Sequence, residues 1–222
     1  LEFIDLRVRI RWVWALGCVL AMFGLAAPVG ATTPAKSQTR TILVLGDSLS
    51  AGYGIKTEQG WVTLLSRRLE REGYGYRVIN ASVSGETTSG GVNRLPRALA
   101  LHKPAVVIVE LGGNDGLRGL PIELSRANLV RMIAMSQKAG ARVLLVGMKI
   151  PPNYGPRYSS EFERTFAALA AQYRTAFVPF FLDFVALDPQ LMQTDGIHPN
   201  AKAQPRLLDN LWPKLSPLLT RP

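Results

Sequence analysis

Short apolar runs rich in Val, Ile and Leu recur along this chain, separated by longer amphipathic stretches. Each run is apolar at successive positions, so both of its faces must be covered. That is the situation of a strand inside a parallel sheet flanked by helices. Strands are predicted over residues 41–45, 76–80, 105–110 and 142–147, with a shorter one over 177–180 that Pro179 interrupts. Helices are predicted over 59–72, 87–101, 122–139, 159–173 and 201–218. In the last, Pro205 suits the first turns and Pro213 predicts a kink or break. Strand and helix alternate as in βα units, so the chain is of the α/β class. In such a sheet the loops that follow the strands gather on one edge, where residues distant in sequence meet.

The loops assigned to that edge carry the chemistry. Gly46-Asp47-Ser48-Leu49-Ser50 follows the first predicted strand and presents Ser48; Asp195-Gly196-Ile197-His198-Pro199 comes near the other end. A serine hydroxyl is a weak nucleophile at neutral pH and needs a base within hydrogen-bond reach, itself oriented by a third group. His198 and Asp195 fit those roles. Only two histidines are present, and His102, in Leu101-His102-Lys103-Pro104, is predicted to lie in a surface turn. Histidine chemistry therefore falls to His198. Acyl transfer also needs donors for the negative oxygen of a tetrahedral intermediate. Gly85 and Asn114 follow the second and third strands and suit that purpose, although each taken singly is also a turn residue.

Other chemistries fit less well. Ser50 stands where a Gly-x-Ser-x-Gly elbow needs glycine, and the acid lies just before the histidine, which disfavours the common α/β-hydrolase arrangement. No Gly-Lys-Ser/Thr follows the glycines, so a phosphate-binding P-loop is absent. Asp47 and Asp115 read as acids that organise their loops. Asp195 and His198 alone are too few ligands for zinc, and the single cysteine, Cys18, lies in the amino-terminal segment. A disulfide and thiol catalysis are thereby excluded from residues 32–222.

That amino-terminal segment has Arg7, Arg9 and Arg11 before an apolar stretch ending at Val29-Gly30-Ala31. It reads as a secretory signal peptide over residues 1–31, with an uncleaved membrane anchor as the lesser alternative. Residues 32–40 read as a flexible leader and 41–222 as one domain, placed in the periplasm or outside the cell. The net charge is +10. Its Lys and Arg residues are scattered over predicted helix surfaces, without a basic stripe interleaved with aromatics, so nucleic acid is not an expected partner. Transient contact with an anionic membrane surface remains compatible with that charge. The oligomeric state stays open, and a monomer is compatible with every feature.

Taken together and in order, Gly46-Asp47-Ser48-Leu49-Ser50-Ala51-Gly52-Tyr53, the segment around Gly85, Glu110-Leu111-Gly112-Gly113-Asn114-Asp115-Gly116-Leu117-Arg118-Gly119, and Asp195-Gly196-Ile197-His198-Pro199-Asn200 resemble the four sequence blocks of the SGNH, or GDSL-type, hydrolases. The likeness runs over about residues 41–218, with no departure at the catalytic positions, and is strongest to a periplasmic branch acting on acyl-CoA, lysophospholipids and aryl esters. It implies a three-layer α/β/α, flavodoxin-like fold with a five-stranded parallel sheet. It also implies Ser48 as nucleophile, His198 as base and Asp195 as orienting acid. The oxyanion hole would comprise the Ser48 and Gly85 N–H groups and the Asn114 amide. No metal or organic cofactor is implied. The loop after the fourth strand, with Pro152, Tyr154 and Gly155, is expected either to line an acyl-binding groove or simply to connect strand to helix. A carbohydrate O-deacetylase on the same fold and a non-catalytic anion-binding module are the alternatives.

Overall fold

The computed structural model describes residues 39–221. The predicted signal segment and residues 32–38 of the predicted leader lie outside the described residues. Five strands, β1 (Arg40–Gly46), β2 (Tyr76–Asn80), β3 (Val106–Glu110), β4 (Arg142–Val146) and β5 (Ala176–Val178), join in the order β2-β1-β3-β4-β5 with every pair parallel. Ile42 to Leu45 of β1 and Val106 to Val109 of β3 have no exposed surface. These are the central strands, and their unbroken apolar runs follow from being covered on both faces. Strand β5 stops at Val178, since Pro179 has no N–H to give the ladder.

Among the described residues seven α-helices accompany the sheet: α1 (Ser48–Ala51), α2 (Trp61–Arg71), α3 (Thr88–His102), α4 (Gly113–Leu117), α5 (Ile122–Lys138), α6 (Pro156–Tyr173) and α7 (Gln204–Leu215). Helix α2 buries Trp61, Val62, Leu65 and Leu69, an apolar stripe at helical spacing. It packs beside α7, whereas α3, α5 and α6 pack as neighbours in the other helical layer. This division follows from right-handed crossovers: the chain leaves β1 in one direction along the sheet to reach β2, then reverses to reach β3, β4 and β5. The result is the expected three-layer α/β/α fold with the flavodoxin-like strand order.

Two local expectations differ. His102 is the last residue of α3 rather than part of a surface turn; the helix ends after it because Lys103 takes a left-handed conformation with φ 42°. Helix α7 passes through Pro213 and ends at Leu215, after which Ser216–Leu218 tightens into a 3-10 turn. Pro213 has no N–H to give an i→i−4 bond, and the helix ends two residues beyond it.

The strand order reverses between β1 and β3. Ligands in open α/β sheets bind beyond the carboxyl ends of the strands at such a reversal. The segment carrying Ser48 leaves β1 there, and that carrying Asn114 leaves β3.

Candidate active site

Ser48 is the first residue of α1, immediately beyond the turn that ends β1. Asp47 caps this short helix by accepting the Leu49 N–H at 3.0 Å. Helix start and strand end are so close that the Ser48 side chain projects from a tight corner. As the first helical residue, Ser48 also has a backbone N–H without an intrahelical acceptor.

The histidine reaches this corner from a loop after β5. Asp195 accepts the backbone N–H groups of Ile197 and His198 through Oδ1 at 2.9 and 3.0 Å, and the His198 ring through Oδ2 at 2.7 Å from Nδ1. One carboxylate thus folds its own loop and fixes the imidazole. Gly196 makes the bend possible with φ +67°, a conformation that costs a residue with a Cβ. With Nδ1–H donating to Asp195, Nε2 is the accepting nitrogen, and it lies 2.8 Å from Ser48 Oγ. The Asp195 carboxyl is held down to about 2, first by the His198 N–H, then by the His198 ring and the Ile197 N–H. It is therefore ionised at neutral pH. The Tyr53 ring covers the imidazole at a centroid distance of 4.5 Å.

Asn114 stands in the first turn of α4 and gives one amide hydrogen to Asp47 Oδ2 at 3.1 Å. Gly85 belongs to the loop after β2, which β1 holds through Ala81 N–H to Val44 O and Val83 N–H to Gly46 O, at 2.9 and 3.1 Å. The Gly85 carbonyl accepts from Arg118 Nη2 at 2.8 Å, which ties this loop to the end of α4. Hydrogen bonds join Asp195, His198 and Ser48 in one line, Asn114 is bonded to Asp47, the residue just before Ser48, and Gly85 is tethered to the same edge. An arrangement of this kind can pass a proton from a hydroxyl to an imidazole while amide donors face a developing negative oxygen.

The loop after β4 lies farther out. Tyr154 donates its hydroxyl hydrogen to Leu117 O at 2.6 Å, and Tyr158 donates to Leu120 O at 2.7 Å. Tyr154, Gly155, Pro156, Arg157, Tyr158 and Glu161 line an open cleft of about 430 Å³. Neither Ser48 nor His198 is among its lining residues, although Leu117 ends the helix that carries Asn114. Pro152 begins a 3-10 turn, and its side chain lies outside the described residues. Among the described residues no group of three or more His, Cys, Asp or Glu is placed to hold a metal ion.

Asp47 and Asp115 organise their loops as the sequence suggests. Asp115 is buried and accepts from Thr88 N–H, Thr88 Oγ1 and Ser125 Oγ at 2.9, 2.5 and 3.2 Å. Burial, partly opposed by the Leu49 N–H, His198 and Asn114, pushes the Asp47 carboxyl up from 3.8 to about 6. Sequence reasoning passed over three residues. Gln193 gives Nε2 to Tyr53 O and Pro199 O at 2.8 and 3.1 Å, and so staples the serine and histidine loops together. Glu110 and Ser50 are fully or almost fully buried and hydrogen-bonded to each other. The only signal for them was an acid closing an apolar strand, which also reads as an ordinary strand end.

The chain matches the GDSL-like lipase/acylhydrolase family over residues 44–205. It is 54% identical over 200 residues to esterase TesA of Pseudomonas aeruginosa, covering 90% of this chain and 98% of that protein. To the thioesterase 1/protease 1/lysophospholipase L1 of Escherichia coli K12 it is 42% identical over 179 residues, 81% of this chain and 85% of the relative. A crystal structure of TesA superposes with a TM-score of 0.80 at 57% identity, over 81% of this chain and 100% of the other. This chain belongs to the GDSL-like lipase/acylhydrolase family and is an SGNH serine hydrolase of the esterase/thioesterase kind.

Proposed function

We propose that Ser48 is the nucleophile, His198 the general base and Asp195 its orienting acid. On this reading the oxyanion is held by the Ser48 and Gly85 N–H groups and by the second amide hydrogen of Asn114. The observation that carries it is the unbroken line from Asp195 Oδ2 through the His198 ring to Ser48 Oγ, with spacings of 2.7 and 2.8 Å. His198 Nε2 takes the Ser48 proton as Oγ attacks an ester or thioester carbonyl, forming a tetrahedral oxyanion. When that intermediate collapses, His198 gives the proton to the departing alcohol or thiol and an acyl-serine remains. Water, deprotonated by the same imidazole, then releases the acid and restores Ser48. The ionised Asp195 stabilises the imidazolium in both halves of the cycle.

Lysophospholipids, acyl-CoA thioesters and aryl esters are the proposed substrates, in keeping with the named activities of the relatives. Tyr154 and Gly155 would meet the acyl chain from the cleft after β4. The proposed setting is the periplasm or exterior, reached through a signal peptide over residues 1–31, with residues 41–222 forming the single hydrolase domain. Among the described residues no helix is long and apolar enough to cross a membrane.

The test is hydrolysis of p-nitrophenyl esters from acetyl to palmitoyl, of palmitoyl-CoA and of a lysophosphatidylcholine, with Ser48→Ala as control. Turnover lost in Ser48→Ala supports the nucleophile; turnover on acetylated sugars alone would replace the substrate assignment with a deacetylase. If Ser48→Ala retains full turnover, the assignment of Ser48 is wrong.

A further inference from the structure

We infer that Glu110, a buried acid outside the proposed triad, is a positioning residue for the oxyanion hole, acting through Ser50 and Asp47 on the Asn114 amide. The inference rests on the reading of Asn114 as an oxyanion donor.

Glu110 ends the central strand β3, paired in register with Gly46 of β1, and has no exposed surface. Its Oε2 accepts from Ser50 Oγ at 2.5 Å and, more weakly, from Asp47 N–H at 3.4 Å. Those two residues bracket Ser48 and Leu49, so one carboxyl oxygen grips both ends of the corner that presents the nucleophile. Room for this grip exists because residue 46 is glycine. A Cβ there would lie 2.6 Å from Glu110 Oε2 and 2.7 Å from Ser50 Oγ. The other oxygen, Oε1, is buried and has no hydrogen-bond partner among the described residues. Leaving such an atom unpaired costs on the order of 1–3 kcal/mol, so an apolar residue would serve the core better and the acid needs another reason.

The reason lies in what the gripped residues hold. Ser50 O accepts from Asn80 Nδ2 at 2.8 Å, which fixes the start of the loop that leads to Gly85. Asp47 Oδ2 accepts one Asn114 amide hydrogen, and only the other hydrogen can then face substrate. A terminal amide torsion is intrinsically broad, so its donor direction is set by that acceptor. Burial also raises the Glu110 carboxyl well above its ordinary 4.5, with further upward pressure from Asp47. A neutral Glu110 still has Oε2 as an acceptor for Ser50 and Asp47. It also leaves Asp47 as the single anion of the pair, the better acceptor for Asn114.

The experiment is a double-mutant cycle on kcat and KM with p-nitrophenyl acetate, using Glu110→Ala, Asn114→Ala and the double variant, with fold checked by circular dichroism and melting. Glu110→Ala is expected to lower kcat about tenfold or more with KM little changed, as for a donor set slightly out of place. Glu110→Gln keeps a neutral acceptor and is expected to restore kcat to within about threefold of wild type. Adding Glu110→Ala to Asn114→Ala should cost less than about twofold, since the group being aimed is already gone. Independent, multiplicative losses overturn the inference, as does an undiminished kcat in folded Glu110→Ala. If Asn114→Ala alone keeps full kcat, the oxyanion role of Asn114 fails first, and that single variant identifies which claim was wrong. Should Glu110→Ala not fold, Ser50→Ala replaces it in the same cycle with the same expected non-additivity, and additive losses there overturn the inference equally.

Discussion

Replacing Asp47 by Asn separates two effects of one buried carboxyl. Asp47 has 2% of its surface exposed, and burial pushes its carboxyl from 3.8 to about 6. The folded protein therefore holds this proton more tightly than the unfolded chain. Stability falls as pH rises from about 4 to about 6, and the deficit persists above that window. The rise corresponds to about 3 kcal/mol, at 1.36 kcal/mol for each pH unit. An asparagine carries no charge to bury and escapes this deficit. It keeps an acceptor for the Leu49 N–H but turns an amide toward the Asn114 amide, losing one hydrogen bond worth about 1 kcal/mol at any pH. Asp47→Asn is thus expected to be less stable than wild type by about 1 kcal/mol near pH 4, and more stable by about 2 kcal/mol near pH 8. Urea unfolding of both proteins at the two pH values measures this. In the same variant kcat should fall, since the Asn114 amide loses the acceptor that aims it. A stability difference that does not change between pH 4 and pH 8 would refute the burial argument. Unchanged kcat would refute the coupling to Asn114.

Three further variants carry expected outcomes. Asp195→Asn should lower kcat by roughly 10³–10⁴, because an amide in place of the carboxylate no longer selects the Nδ1–H tautomer. In the wild type the depressed Asp195 carboxyl contributes stability above the unfolded value of about 3.9, lost as pH falls toward about 2; acid unfolding curves of Asp195→Asn should lack that component, which solvent screening keeps small. Gly46→Ala forces a methyl against Glu110 and Ser50 and should cost about 1–3 kcal/mol in urea unfolding, and an unaltered midpoint would show that the corner yields freely. Tyr154→Ala should change the ratio of palmitoyl to acetyl ester turnover more than acetyl turnover itself, and equal effects on both would remove the cleft after β4 from acyl binding.

Which parts of this protein can be read before folding depends on the range of the interactions that define them. The runs in β1 and β3 are apolar at every position because both faces are covered, and that composition is visible residue by residue. The amphipathic stripe of α2 is local in the same way, as is the Asp195–His198 loop, where Gly196 and a three-residue spacing suffice to join carboxylate and imidazole. Such features specify the α/β class, the catalytic edge and the residue types suited to acyl transfer. Short-range rules did less well where context outweighs propensity, as with Pro213 inside α7 and His102 at the end of α3. What depends on distant partners became visible only in three dimensions. The contact of Ser48 with His198 spans nearly the whole domain and is set by the order in which five strands assemble. Glu110 looked like the end of a strand until β1 was laid beside β3, bringing Gly46 against it and Ser50 and Asp47 onto its carboxyl. Periodicity reports which face of an element is buried; which polar groups meet in the interior is decided by strand register and helix packing, and these belong to no single stretch of sequence.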